Sequence, residues 1–388
     1  MRRPLLAGVA VLLLVLAALS MAPGVDGHQP KDTVSTIAVG PDDDRLWPYT
    51  SRSRAFEGRT LVLNAIVMDD PETVERLLNR RADTNWTTTD RATAPEPVAE
   101  PFPESGVTAD WRTAHGSVRY TYAETDKNGT WLKQRYQVHV GTYLGTRHHI
   151  RAFAPSVQSR WTALQAHSEY WDWFRLRHTV TGVHGTADML ETEFEAMERL
   201  SVERRYTRDR GPLANGIVVV TSLLPVLVGR RHWSRLAERF ADPAVRTGTL
   251  TVLAIALATP LAVRAAGIGL ERLVPLVNPK LFVVLVYPML SVGLPFAIAG
   301  RSADIPAWFA GPAAAVGLAV GFAAEFALLG VTPPERLIRH RLLVATALGL
   351  LAAGGARLRR DGTPRPLYTV GGVVLWLWGL VAPLIGLV

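Results

Sequence analysis

The sequence predicts a helical membrane bundle of six spans, an N-terminal signal or anchor helix before it, and an α+β extracytoplasmic domain built on an antiparallel sheet. Three observations predict this. Long uncharged apolar runs occupy residues 5–22 and recur six times after Gly211. Charge divides unevenly: residues 28–212 hold 24 basic and 26 acidic residues, whereas residues 213–388 hold 16 basic and 7 acidic. Between residues 118 and 153, apolar and polar residues alternate with the period of a half-covered strand.

Composition excludes several chemistries. The 388 residues include no cysteine, so a disulfide framework, a thiolate metal site and a thiol nucleophile are all ruled out. At 48% hydrophobic and 20% charged, the chain is too apolar for disorder. The pI of about 10.0 arises in the apolar half, as expected of arginine-rich membrane loops rather than a nucleic-acid-binding domain.

Residues 5–22 follow Arg2 and Arg3, and Ser20-Met21-Ala22 fits a small-x-small cleavage site. Residues 1–27 are therefore a signal peptide or an anchor, and both send the next segment across the membrane. Residues 28–54 are polar without period and read as a linker. The outer domain then spans residues 55–212. Residues 59–68 read as a buried strand, and Asp69-Asp70-Pro71-Glu72 opens a helix continuing to Arg81. Four prolines between residues 90 and 105 predict a surface loop.

Two linked hairpins come next. Val118, Tyr120 and Tyr122 alternate, Asp126-Lys127-Asn128-Gly129 turns, residues 131–140 form a strand, and Tyr143-Leu144-Gly145 returns the chain into residues 146–153. Left-handed Gly145 would pair Thr142 with Thr146, hence Val138 with Ile150, Tyr136 with Ala152, and His139 with His149. This register gathers Tyr136, Val138, Val140, Ile150 and Ala152 on one apolar face. The opposite face carries Lys133, Arg135, Gln137, His139, Arg147, His149 and Arg151, and no acid. Cations grouped around a histidine pair predict an anion-binding face, because guanidinium grips phosphate or carboxylate with two hydrogen bonds. Residues 157–177 read as an amphipathic helix with Trp161, Leu164, His167, Trp171 and Phe174 on one stripe and His178 in line. On such a helix His167 and His178 stand about 16 Å apart and cannot share a metal. No metal is predicted at these residues, and the sequence names no cofactor; a metal enters only with the hydrolase alternative. A further charged helix is expected over residues 186–208.

The membrane domain, residues 213–388, has apolar runs at 213–229, 247–263, 281–300, 305–324, 342–356 and 366–388. Loops 230–246, 301–304 and 357–365 hold ten arginines, against six Lys and Arg in loops 264–280 and 331–341. The positive-inside rule then puts the former set in the cytoplasm, and residues 28–212 and the C-terminus outside. The sequons at Asn85 and Asn128, candidate glycosylation sites, fall in the outer segment. Gly317 and Gly321 form a GxxxG pair, and Ala345, Gly349 and Ala353 a small-residue ladder. Pro225, Pro260, Pro288, Pro295 and Pro312 predict kinks. Glu325 is the carboxylate inside an apolar run, expected to reach the interface or pair with an arginine of another helix.

"GTRHHIRAF", then "RHTVTGVHGTADMLETEF", resembles the LssY C-terminal domain family, and "LVLNAIVMDDPETVERLLNRRADTNW" looks like that family's opening strand, helix and tryptophan. The chain as a whole resembles uncharacterised multi-pass membrane proteins of halophilic archaea, consistent with 38 arginines against four lysines. The lipid-phosphatase motifs often fused to this family (Pro-Ser-Gly-His and Lys-x6-Arg-Pro) are absent, and the resemblance implies no activity for the domain. The sequence thus leads to a non-enzymatic cell-envelope protein anchored in the lipid membrane, binding an anionic lipid head group, glycan or partner and no nucleic acid. Its alternatives are a membrane-bound hydrolase using the outer histidines, and a transporter or channel.

Overall fold

The computed structural model describes residues 36–39, 43–52, 54, 61–80, 84–91, 98–99, 118–125, 128–197, 202, 240, 242–361 and 366–385. The expected signal or anchor helix, the apolar run 213–229 with Pro225, and nearly all of loop 230–246 lie outside these residues. The chain divides into two compact units: a sheet unit within residues 25–172 and 176–208, and a helical unit within residues 209–388 together with residues 173–175.

Among the described residues every strand pairing of the sheet unit is antiparallel. Strands β1 (Ile37–Ala38), β2 (Arg45–Leu46) and β3 (Tyr49–Thr50) come from the segment expected to be a linker, and these residues are instead part of the fold. They are followed by β4 (Leu61–Val62) and β5 (Ala65–Val67), helix α1 (Pro71–Arg80), β6 (Thr87–Arg91) and β7 (Val98–Ala99). Then come β8 (Tyr120–Thr125), β9 (Asn128–Lys133), β10 (Tyr136–Gly141), β11 (Thr146–Phe153), β12 (Thr162–Asp172), β13 (Arg177–Gly182) and helix α2 (His184–Glu195). One sheet has the order β1-β2-β8-β9-β7. The other has β13-β12-β11-β10-β6, with β5 also on β12, and β3 pairs with β4.

Several local expectations hold. Asp70 Oδ1 accepts from the amides of Glu72 and Thr73, capping α1, with Pro71 in the first turn. The β10–β11 register pairs Tyr136 with Ala152, Val138 with Ile150 and His139 with His149, as the apolar alternation requires. Its apolar face packs with Leu164 and Ala166 of β12, Val74 and Leu78 of α1, and Leu190 and Phe194 of α2.

Other expectations fail for identifiable reasons. The residue with positive φ in that hairpin is Gly141 (111°), not Gly145. The expected strand 59–68 breaks at Leu63-Asn64, where the Asn64 side chain donates to Ala166 O and accepts from Ala166 N, standing in for a strand. The expected strand 131–140 breaks at Gln134-Arg135 and supplies both sheets, so Lys133 belongs to a different sheet from His139. Most consequentially, residues 157–177 are not a helix: residues 162–172 are the central strand β12. It is buried on both faces, and such a strand lacks the apolar–polar alternation that reveals a half-exposed one. Helix α2 covers the start of the expected helix 186–208.

In the helical unit α3 spans Pro243–Leu273, and α4 (Pro279–Pro288) runs through a π-helical turn (Met289–Gly293) into α5 (Leu294–Arg301) and a 3₁₀ turn. Helices α6 (Ala307–Leu328), α7 (Glu335–Asp361) and α8 (Pro366–Val381) complete it. Asp242 and Asn278 cap α3 and α4 with proline behind each. Four helical stretches are long and apolar enough to cross a membrane: Pro243–Leu273, Pro279–Asp304, Ala307–Leu328 and Arg336–Leu358. The apolar part of α8, Tyr368–Val381, is shorter, so among the described residues the structure supports four candidate spans rather than six. Leu273, Leu276, Val284, Phe296 and Leu328 are each more than 70% exposed, an apolar exterior suited to lipid.

Small residues set the helix packing. A Cβ on Gly317 or Gly321 would lie 2.5 or 2.6 Å from the carbonyl oxygen of Leu253 or Leu257 on α3, and Gly311 and Gly349 bring α6 against α7 in the same way. Pro260 and Pro312 sit inside helices that continue through them, while Pro288 and Pro295 flank the π-helical turn. Proline has no N–H, so Pro295 leaves Ser291 O without its helical donor, and Trp376 Nε1 on α8 fills the vacancy at 2.8 Å.

Candidate functional site

Successive side chains alternate across a strand, and the β10–β11–β12 register therefore stacks odd-numbered residues in rows. Arg147 lies beside Glu169. His139, His149 and His167 form the next row, and Gln137, Arg151 and Gln165 the row after it. Beyond them Phe153 and Ala163 pack with Leu46, Ala123 and Leu132 of the smaller sheet. The middle of this face is thus a polar layer inside the unit: His149 is 3% exposed, Arg151 1%, His167 0% and Glu169 1%. Burying so many ionisable groups costs free energy that apolar residues would not. Such a cluster is a functional candidate on physical grounds.

Every side chain in the layer is held. Arg147 donates from Nε and Nη2 to Glu169 Oε1, both at 2.6 Å. Arg147 Nη2 also faces His178 Nδ1 at 3.3 Å, and His178 Nε2 donates to Tyr143 O at 2.8 Å. Arg151 donates to Val118 O. His149 Nε2 meets Gln137 Oε1 at 2.7 Å, and its Nδ1 lies 3.4 Å from Glu169 Oε1. His167 Nδ1 meets Gln165 Oε1 at 3.0 Å, and its Nε2 lies 3.2 Å from Glu169 Oε2. The His149 and His167 ring centroids are 4.9 Å apart. His149 and His167, with Glu169, present one ligand atom each within 4.8 Å of one another, a grouping able to hold a metal ion.

Electrostatics follow from enclosure. Burial holds the pKa of His149 well below the ordinary histidine value and lowers that of His167, in both cases against the pull of Glu169. His178 is pushed down to about 4 by burial, which Glu169 opposes and Arg147 reinforces. His139 is also lowered to about 4, by burial and then by Arg147.

The residues expected on an anion-binding face disperse in part. His139, Arg147, His149 and Arg151 share the layer, with His139 at its edge beside Thr89 (3.3 Å). Arg135 turns away to donate to Ala154 O and Pro155 O, and Lys133 sits on β9. His167 does not align with His178 on a helix. It meets His149 across a strand pair, and His178 joins the layer from β13 beside Trp171. The metal-capable grouping therefore joins His167 to His149 and Glu169, and not to His178. Glu169 and Gln165 were missed with β12, although Gln165, His167 and Glu169 at alternate positions are a period-2 signal. On the sheet's other face, His148 Nδ1, Thr186 Oγ1 and Ser168 Oγ form a smaller hydrogen-bonded group.

Asn85 and Asn128 are both exposed. In the helical unit Glu325 Oε1 accepts from Arg264 Nε (2.8 Å) and Nη2 (2.6 Å), so α6 and α3 share a buried ion pair. Arg264 is thus inside α3 rather than in a loop. His340 Nε2 donates to Gly379 O of α8 at 2.8 Å. The comparisons with known proteins found no match, whether to a family model, a curated protein or a solved structure.

Proposed function

We propose that this protein is an integral membrane protein of the cell envelope whose sheet unit lies outside the cytoplasm and binds an anionic group. The carrying observation is the polar layer: it sets Arg147, Arg151 and four histidines around the carboxylate of Glu169. A lipid head group or an acidic glycan supplies the matching charge. Arg147 (12% exposed) and half-buried His139 form the edge such a ligand would reach. The arginine-rich loops support an outer location for the sheet unit and the C-terminus. Residues 213–229 and 366–388 as fifth and sixth spans, the signal or anchor helix, the resemblance to the LssY C-terminal domain family and the haloarchaeal type belong to the same proposal.

Binding to full-length protein in detergent tests it, with inorganic phosphate and short-chain phosphatidylglycerol against phosphatidylcholine as probes. The anionic probes should bind and phosphatidylcholine should not. Arg147→Gln should weaken binding about tenfold or more, as expected for a hydrogen bond to a charged group. Equal binding of all three probes would refute the reading. Protease added to intact cells should remove the sheet unit and spare residues 357–365.

A hydrolytic role has one observation in its favour, the convergence of two imidazoles and a carboxylate. A transport role finds less support, because Glu325 is already paired with Arg264.

A further inference from the structure

The hydrogen bonding of the polar layer does not close. Glutamine oxygens occupy His149 Nε2 and His167 Nδ1, and carboxylate oxygens face His149 Nδ1 and His167 Nε2. With the glutamine oxygens turned to the rings, each imidazole looks at an acceptor on both sides, while a neutral imidazole has one N–H. If each ring donates to its glutamine, His149 Nδ1 and His167 Nε2 turn bare lone pairs toward Glu169. Among the described residues His149 Nδ1 is buried with no well-aligned donor or acceptor, its nearest polar neighbour in this layer being Glu169 Oε1 at 3.4 Å. Supplying the two missing donors with protons would create two imidazolium ions with centroids 4.9 Å apart, beside Arg147 and Arg151. One divalent cation would instead accept the lone pairs of both rings and the carboxylate oxygen at a single point.

We propose that His149, His167 and Glu169 bind one divalent transition-metal ion, of the zinc or cobalt kind. Two imidazole nitrogens with one carboxylate oxygen suit such ions better than calcium or magnesium, which prefer oxygen throughout. Gln137 and Gln165 have the role of outer partners, because each accepts the far N–H of one ligand ring and so fixes which nitrogen faces the ion. Arg147 orients the carboxylate from behind. Three protein ligands leave a coordination position for an outside atom. The inference rests on the proposed binding role, and it deepens that role by naming a resident ion through which an anion's oxygen could be held.

The test uses full-length, untagged protein in detergent, stripped with chelator and titrated with zinc chloride or cobalt chloride. One ion per chain should bind, the melting midpoint of the wild-type protein should rise, and cobalt should give visible absorption bands of nitrogen–oxygen coordination. His149→Gln and His167→Gln should each weaken cobalt binding at least 100-fold. The wild-type midpoint and spectrum read the site even where a variant fails to fold. Absence of stoichiometric metal, or unchanged affinity in both folded histidine variants, would overturn the inference. If phosphate binds and no stoichiometric metal does, the metal site falls and the anion reading stands. If metal binds and neither phosphate nor phosphatidylglycerol does, the metal site stands and the anion reading falls.

Discussion

Removing either partner of the Arg147–Glu169 pair should cost unequal amounts. Glu169 is 0% exposed at its side chain, and its Oε1 takes both guanidinium contacts at 2.6 Å. Arg147→Met would leave a carboxylate enclosed without that cation, a loss of about 3–5 kcal/mol for a broken buried pair. Glu169→Gln leaves the charge on Arg147 instead, which is 12% exposed and lies over the Tyr143 ring at 5.1 Å. The glutamine oxygen still accepts, so the loss should be about 1–3 kcal/mol. The double variant should cost less than the two single losses added, because no unpaired charge remains. Denaturant unfolding of the full chain in detergent and chelator, followed by tryptophan fluorescence, measures all three. An Arg147→Met midpoint equal to wild type, or strictly additive losses, would refute the claim that burial of Glu169 depends on Arg147.

Other expectations can be measured on the same preparation. An unfolded histidine takes up its proton near pH 6.5, whereas folded His178 does so only near 4, so between these values the unfolded chain binds more protons. Stability is therefore fully present above pH 6.5 and falls as pH drops toward 4. His178 contributes roughly 2–3 kcal/mol of that loss at pH 4.5, and a flat profile would contradict it. Trp376→Phe should lower stability by about 0.6 kcal/mol, typical of a hydrogen bond between membrane helices. In a Pro295→Ala background, where Ser291 O regains a helical donor, the same change should cost nothing. Gly321→Leu should prevent α3–α6 packing, since even a Cβ would meet Leu257 O at 2.6 Å; an unchanged melting midpoint would show that the helices separate freely. Asn64→Leu removes both Ala166 contacts and should cost about 1–3 kcal/mol in thermal unfolding.

Much of the architecture was legible in the residues alone, because it depends on local pattern. The apolar runs, the capped start of α1 and the Gly317–Gly321 contact each follow from a few neighbouring side chains. So does the pairing of His139 with His149: one face of that hairpin is apolar, and a one-residue slip would have buried charge on it. Glu325 was conspicuous for the same reason, as a carboxylate in an apolar run. The candidate site was legible only in half. The histidines and arginines of β10 and β11 stood out, but their acid did not, because Glu169 reaches them from β12, buried on both faces. Its spacing Trp161, Leu164, His167, Trp171 imitates a helical stripe and competes with the period-2 series Gln165, His167, Glu169. The tertiary structure decided that this segment is a strand, since only pairing along β11 on one edge and β5 and β13 on the other satisfies its backbone inside the unit. That pairing places His167 against His149 and closes an apparently all-basic face around Glu169, a meeting of residues 18 and 20 positions apart that no local periodicity encodes.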